Sequence, residues 1–180
     1  MFSAYQRVNS LSSLLSSCLL GLLGAIALSS FVFTNQATGT VSLEPLKVRF
    51  GASGRFPAQE WAFVRFDVDS DLTPLFNWNT KQLFVYLAAE YTNSKGVSND
   101  VVLWDRIVLR KEDAHLKIAG AKNKYAFRDY SRSFRNATDV VFSLRYNVMP
   151  YVGVLTEGVA ARSDRDSTVA AMKFPELSRA

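Results

Sequence analysis

A single histidine, His115, and a single cysteine, Cys18, limit the chemistry that this 180-residue chain can perform. One cysteine excludes an intramolecular disulfide and a cysteine-based zinc site, and one histidine excludes any two-histidine metal site. His115 could act as a base beside a serine and an aspartate. No G-x-S-x-G frames such a serine, and "EDAHLKI" reads as a turn leading into a strand, which makes His115 a surface or capping residue. A Ser–Lys pair has no local signature. The acidic run "DVDSD", Asp67 to Asp71, begins like a calcium loop. The match then fails, because position six is Leu72 where glycine is needed and position twelve is Trp78 where glutamate is needed. The run is better read as a strand with acids on its solvent face. No catalytic, cofactor-binding or metal-binding residue is assigned.

Two other features carry chemistry of a milder kind. "NAT", Asn136 to Thr138, is an N-glycosylation acceptor. The aromatics Trp61, Trp78, Trp104, Phe76, Phe84, Tyr86 and Tyr91 gather in the middle of the chain. Sandwich cores use such residues, and a minority of them can serve a protein interface or dip into a membrane surface.

The elements that must position these residues divide sharply. Leu11 to Phe33 contains no charged residue; the flanking charges are Arg7 and Glu44. As a helix at ~1.5 Å per residue it exceeds the ~30 Å hydrocarbon core. Its twelve Leu, Ile, Val and Phe residues contribute about −4 to −7 kcal/mol to insertion, and the six serines take some of that back. Two readings of this segment stay open on the residues alone. Ala25 and Ala27 offer a cleavage site of the A-x-A kind, which makes a signal peptide. Apolarity resumes at Phe31–Phe33, beyond where a signal core stops, which makes an anchor. Arg7 on one side only puts the amino terminus in the cytosol by the positive-inside rule, with the rest across the membrane. The NAT acceptor agrees, since it is usable only in the lumen.

From Val41 onward the period is two. Leu46, Val48 and Phe50 alternate with Lys47 and Arg49; Ala62, Val64, Phe66 and Val68 alternate with Phe63, Arg65, Asp67 and Asp69. Val140 to Val148 repeats the pattern. Such alternation belongs to sheets with one buried face. "QLFVYLAAEY" (82–91) and "VVLWDRIVLR" (101–110) are denser in apolar residues and suit central strands. Further strands are expected at 115–120, at 124–129, near "VGVLTEG" and near "STVAAMKF", with a crossover loop over 72–82. Seven to nine strands with turn signals between them favour an antiparallel β-sandwich. The division expected is a cytosolic amino terminus (1–10), a transmembrane signal-anchor helix (11–33), a linker (34–40) and a luminal sandwich (41–180). The net charge of +5 is spread thinly, without the basic run that tracks a phosphate backbone, so nucleic acid is not an expected partner.

"LFNWNTKQLFVYLAAEY" (75–91), "VVLWDRIVLR" (101–110) and "KNKYAFRDYSRSFRNATDVVFSLRYNVMPYVGVL" (122–155) resemble the subunit 3 family of the eukaryotic signal peptidase complex, its glycoprotein subunit. The leader "QRVNSLSSLLS" (6–16) also fits that family. The resemblance covers nearly the whole chain in order and is weaker over Gly158 to Ala171. It implies a single-pass type II protein of the endoplasmic reticulum membrane whose apolar run is an uncleaved anchor and whose sandwich is luminal. It implies that Asn136 is the glycan acceptor. It further implies a non-catalytic subunit required for the stability and activity of a separate, serine-type catalytic subunit that removes signal peptides. Its partners would be that subunit and the others of the complex, the lipid around one helix, and the translocon as a further candidate. Trp78 and Trp104, inside the family-like segments, are the candidate partner-interface residues. Two rivals remain: a secreted Ig-like binding module freed by signal cleavage, and an autonomous hydrolase.

Overall fold

The computed structural model describes residues 3–32, 36–53, 56–135, 137–138 and 140–163. One helix, α1 (Ala4–Ser29), precedes nine strands. Ser3 starts the helix with a capping box: its hydroxyl accepts the Gln6 N–H, and the Gln6 side chain accepts the Ser3 N–H. None of its residues is fully buried, and it is long and apolar enough to cross a membrane. The serines do not spoil it. Ser16 and Ser17 donate to the carbonyls of Ser12 and Ser13, each at 3.0 Å, so their hydroxyls are satisfied within the helix itself.

The strands are β1 (Thr38–Leu43), β2 (Lys47–Ser53), β3 (Phe56–Phe63), β4 (Arg65–Asp71), β5 (Thr80–Thr92), β6 (Ser98–Val108), β7 (His115–Lys122), β8 (Val141–Pro150) and β9 (Thr156–Arg162). They form a three-stranded sheet in the order β1-β4-β7, a β2-β3 ribbon and a four-stranded sheet in the order β6-β5-β8-β9. All pairings are antiparallel. One core joins the two larger sheets. Val41, Leu43, Phe66, Val68 and Leu116 come from the first, and Leu83, Val85, Leu87, Phe142 and Leu144 from the second. The period-two reading therefore places the apolar residues correctly.

Three local expectations differ from the fold. The alternation from Trp61 to Asp69 is continuous in sequence, yet the ladder breaks at Val64. Asn123 takes over there: its Oδ1 accepts the Val64 N–H, and its own N–H donates to the Val64 carbonyl, both at 3.2 Å. Ala62, Val64, Phe66 and Val68 remain buried while the chain passes from one sheet to the next. Residues 124–129 are not a strand. Only Phe127 makes a bridge, to Ala62, and the segment is held by side chains instead. Phe127, Phe134 and Tyr91 pack edge to face at 5.2–5.9 Å, and the Tyr91 hydroxyl donates to Asp129 at 2.9 Å. Finally, β5 is central as expected but β6 is an edge. The loop at Lys124 and Tyr125 covers part of that edge, both N–H groups donating to the Leu103 carbonyl. The expected strand near "STVAAMKF" lies outside the described residues.

The long irregular segment between β7 and β8 thus depends on its buried rings. Phe127→Ala should lower stability by about 3–5 kcal/mol in urea titrations of the full chain in detergent. Tyr130→Ala, at a ring that is 94% exposed, should change it by less than about 0.5 kcal/mol.

Candidate functional site

The residues of catalytic type are each engaged in holding the strands. His115 opens β7, and its Nε2 lies 3.1 Å from Asp69 Oδ1 with both side chains half exposed. Asp67 Oδ1 accepts the Gly120 N–H at 2.6 Å. Asp71 accepts the Thr73 N–H at 2.9 Å, and hydrogen bonds from the Thr73 side chain and backbone hold its carboxyl below the ordinary value. The three acids point outward from β4 between the buried residues Phe66, Val68 and Ser70, as alternation requires. Among the described residues no group of three His, Cys, Asp or Glu side chains converges.

The outer face of the four-stranded sheet has a different character. On it Phe84 and Tyr86 of β5 stack at 5.4 Å with their planes 26° apart. Ile107 lies opposite Phe84 on β6, and Val159 of β9 lies opposite Arg145, itself opposite Tyr86. Ile107 and Val159 are each 51% exposed. Next to this apolar centre runs an ion network across all four strands. Arg145 (β8) bonds Glu90 (β5) through Nη2, and reaches Asp100 (β6) through Nη1 at 2.6 Å. Its Nε donates to Ser143 at 3.0 Å, and Ser143 donates to Glu90 at 3.1 Å. Arg162 (β9) donates to the other Glu90 oxygen at 3.0 Å. Burial works against ionising Glu90, but the Arg145 and Ser143 hydrogen bonds and the two arginine charges outweigh it and hold the carboxyl below its ordinary value. An apolar, partly aromatic centre beside a charged margin is the composition of a protein-docking surface.

At one end of the same sheet the helix is clamped to the domain. Asn79, just before β5, is buried. Its Nδ2 donates to Ser30 Oγ and to the Val152 carbonyl, each at 2.7 Å, and its Oδ1 accepts the Val152 N–H at 3.2 Å. Gly153 lies against α1 at Ala27, where an added Cβ would make ordinary contact at 3.4 Å, and its φ is +121°. Only a glycine accepts that conformation without strain.

The expected site residues are spread along this frame. Trp78 is 57% exposed beside the clamp. Trp104 is half buried, opposite Leu87 on β5, with its ring edge to face with Phe66 at 6.0 Å. Thr80 and Leu87 are seven positions apart on β5, about 24 Å, so the two tryptophans do not form one patch. Asn136 lies outside the described residues. Its neighbour Thr138 is exposed and is tied to the far end of β5, accepting the Thr92 N–H at 2.8 Å. Asn79 and the Glu90 network were missed in the sequence. For Glu90 a signal existed, since it is the one charge between Gln82 and Tyr91, and a carboxylate there needs a partner. Asn79 gave only a loop signal.

Comparison with known proteins bears on these surfaces. The family described as "Signal peptidase subunit" matches residues 1–172. Among similar proteins are ones named "Signal peptidase complex subunit 3". That of Saccharomyces cerevisiae is 44% identical over 110 residues, 61% of this chain and 60% of the relative. That of Debaryomyces hansenii is 41% identical over 148 residues, 75% of this chain and 77% of the relative. That of Homo sapiens is 43% identical over 93 residues, 52% of each chain. The matched part thus spans 60% of the length of the Saccharomyces protein and about half that of the human one.

The Glu90 network gives stability a defined pH dependence. A carboxyl lowered by folding contributes fully above its unfolded value, 4.5 for Glu90, and the contribution drains away as pH falls through the lower folded value. Melting temperature should therefore fall below about pH 4.5, and fall less steeply in Glu90→Gln, as followed by thermal melts between pH 7 and 3.

Proposed function

The chain belongs to the signal peptidase subunit family, and from that premise we propose that it is a non-catalytic, accessory subunit of the signal peptidase complex of the endoplasmic reticulum membrane. In this reading α1 is an uncleaved anchor of type II orientation, residues 1–10 are cytosolic, the expected linker 34–40 gives way to β1 at Thr38, and the sandwich is luminal. The sandwich binds the serine-type catalytic subunit and sustains its stability and its removal of signal peptides. The remaining subunits, and the translocon that delivers precursors, are further partners.

The observation that carries this reading is the outer face of the β6-β5-β8-β9 sheet, exposed at Ile107 and Val159 among the described residues, in a domain bonded through Asn79 to the end of a membrane-length helix. A scaffold needs a surface that another protein can desolvate and a fixed height at which to hold it. Phe84, Tyr86, Ile107 and Val159 supply apolar contact, and the Arg145 network supplies a charged margin that disfavours wrong partners. Trp104 supports the face from its inner side, through Phe66. The clamp also speaks for an anchor over a cleaved signal. A cut after Ala27 would separate the helix from a domain whose Gly153 packs against it, whereas Ser30, which Asn79 holds, would stay with the domain. The acidic and histidine side chains of the three-stranded sheet, engaged across strands, suit a subunit that leaves the chemistry to another chain.

Two measurements test the proposal. In native pull-downs from solubilised membranes, Ile107→Asp with Val159→Asp should cut recovery of the catalytic subunit at least tenfold while the melting temperature holds. Undiminished recovery overturns the docking face. For orientation, the chain should shift on endoglycosidase treatment and Asn136→Gln should abolish that shift. A wild-type chain that carries no glycan and whose domain is digested by protease added to intact microsomes overturns the luminal assignment.

A further inference from the structure

The two loops of the domain that meet α1 carry no charge, although the β6–β7 turn at the same end carries Arg110, Lys111, Glu112 and Asp113. No charged residue occurs between Asp71 and Lys81, or between Arg145 and Glu157. These are the two segments that Asn79 ties together. At the far end the β5–β6 turn carries Lys95, and the loop that ends at Thr138 carries Arg128, Asp129, Arg132 and Arg135.

These uncharged loops also expose large apolar side chains. Trp78, Tyr151, Val154 and Leu155 of the domain are each at least 50% exposed, as are Phe31 and Val32 just after α1. Phe31 and Val154 line one cleft of about 250 Å³ with Asn79 and Pro150, next in sequence to Trp78 and Tyr151, and with Glu157 at its charged edge. A soluble domain seldom leaves such a group uncovered.

The position along α1 identifies what covers it. About 20 residues fill a ~30 Å hydrocarbon core. Counted from Leu11, where the expected span begins, twenty residues end at Ser30, the residue that Asn79 holds, three positions past Ala27. Ala27 is the residue against which Gly153 packs. The loop therefore meets the helix at the level where the helix leaves the hydrocarbon. Trp78 and Tyr151, apolar bodies with one polar group each, have the character of side chains that settle at that level.

We propose that the loop Tyr151–Leu155, with Trp78, Phe31 and Val32, is a second membrane contact: a shallow patch that rests in the headgroup–acyl boundary of the leaflet that α1 leaves. It rests on the reading of α1 as a span. The patch would give the sandwich two points of attachment, the helix and the loop, and so fix its tilt as well as its height. Tyr151 and Trp78 place their polar groups among lipid headgroups, and Val154 and Leu155 exchange water for acyl chain.

The test uses the full chain reconstituted without other subunits into phosphatidylcholine vesicles. An environment-sensitive fluorophore is placed at Val154→Cys or Leu155→Cys in a Cys18→Ser background, and at Val97→Cys, exposed at the opposite end. Native Cys18, labelled in a separate sample, reports insertion of the span. Probes at 154 and 155 should be quenched by lipids carrying a nitroxide high on the acyl chain, and protected from aqueous iodide at least threefold relative to 97. If 154 and 155 are as open to iodide as 97 while the Cys18 probe is quenched by deep nitroxides, the patch is not a membrane contact. Shielding that appears only when the other subunits are present assigns the patch to a protein partner and overturns the proposal. A Cys18 probe that deep nitroxides do not reach overturns the span, and the patch with it.

Discussion

The bonds of the Asn79 side chain decide how the rest of this molecule is oriented. One buried amide holds the residue just past the helix, Ser30, and both backbone groups of Val152. The backbone of Asn79 adds a further bond, its carbonyl accepting the Tyr151 N–H at 2.8 Å. Each such bond contributes only about 1 kcal/mol net, but losing the partner of a buried group costs about 1–3 kcal/mol. The side chain is therefore hard to replace. Asn79 stands directly before β5, which pairs with both β6 and β8. Fixing its amide fixes the direction of the central strand against the axis of α1, and the docking residues on β6, β8 and β9 follow from β5 by register.

The Glu90 network acts on the same strand from the other end. Its contribution to net stability is modest, because ion pairs that remain a quarter exposed lose much of their Coulomb energy to solvent. Its value lies in specifying register. A one-residue slip of β8 on β5 would move Arg145 to the inner face and bury an unpaired guanidinium there, at a cost that no apolar contact offsets. Four strands contribute partners to one carboxylate or to its arginine. The outer face is thus held in register, with no second layer on it among the described residues, which leaves the Phe84–Tyr86 stripe available.

Much of this architecture could be read from the sequence, and the failures have physical causes. Period two marks a buried face but not which sheet the face belongs to, so the passage at Val64 was invisible: it depends on Asn123, 59 positions away. Residues 124–129 alternate like a strand because Phe127 must point inward while Lys124 and Asp129 meet polar partners. A loop pinned by one ring imitates that pattern. The apolar density of 101–110 suggested a strand covered on both sides. It arises instead because Leu103 and Val108 face the core while Val102 and Ile107 face outward on an edge strand. The sequence could indicate that Trp78 and Trp104 were unusual, but not that they sit about seven strand positions apart. That separation follows from register, which no local pattern contains.

These elements divide the domain by height. The clamp, the uncharged loops and the end of the span lie together. The Phe84–Tyr86 stripe begins four residues along β5 from Thr80, about 14 Å, and Glu90 lies about 34 Å along. Thr138 of the glycosylation acceptor is bonded at Thr92, the last rung. If the proposed acceptor carries a sugar, Thr138 places that segment at the end of β5 away from the clamp. On the proposed reading the domain therefore divides into separate zones: lipid beneath, protein on the side, solvent above. A partner that grips the side is held at a distance from the membrane set by four residues of a paired strand, a spacing that thermal motion changes little because β5 is bonded on both edges.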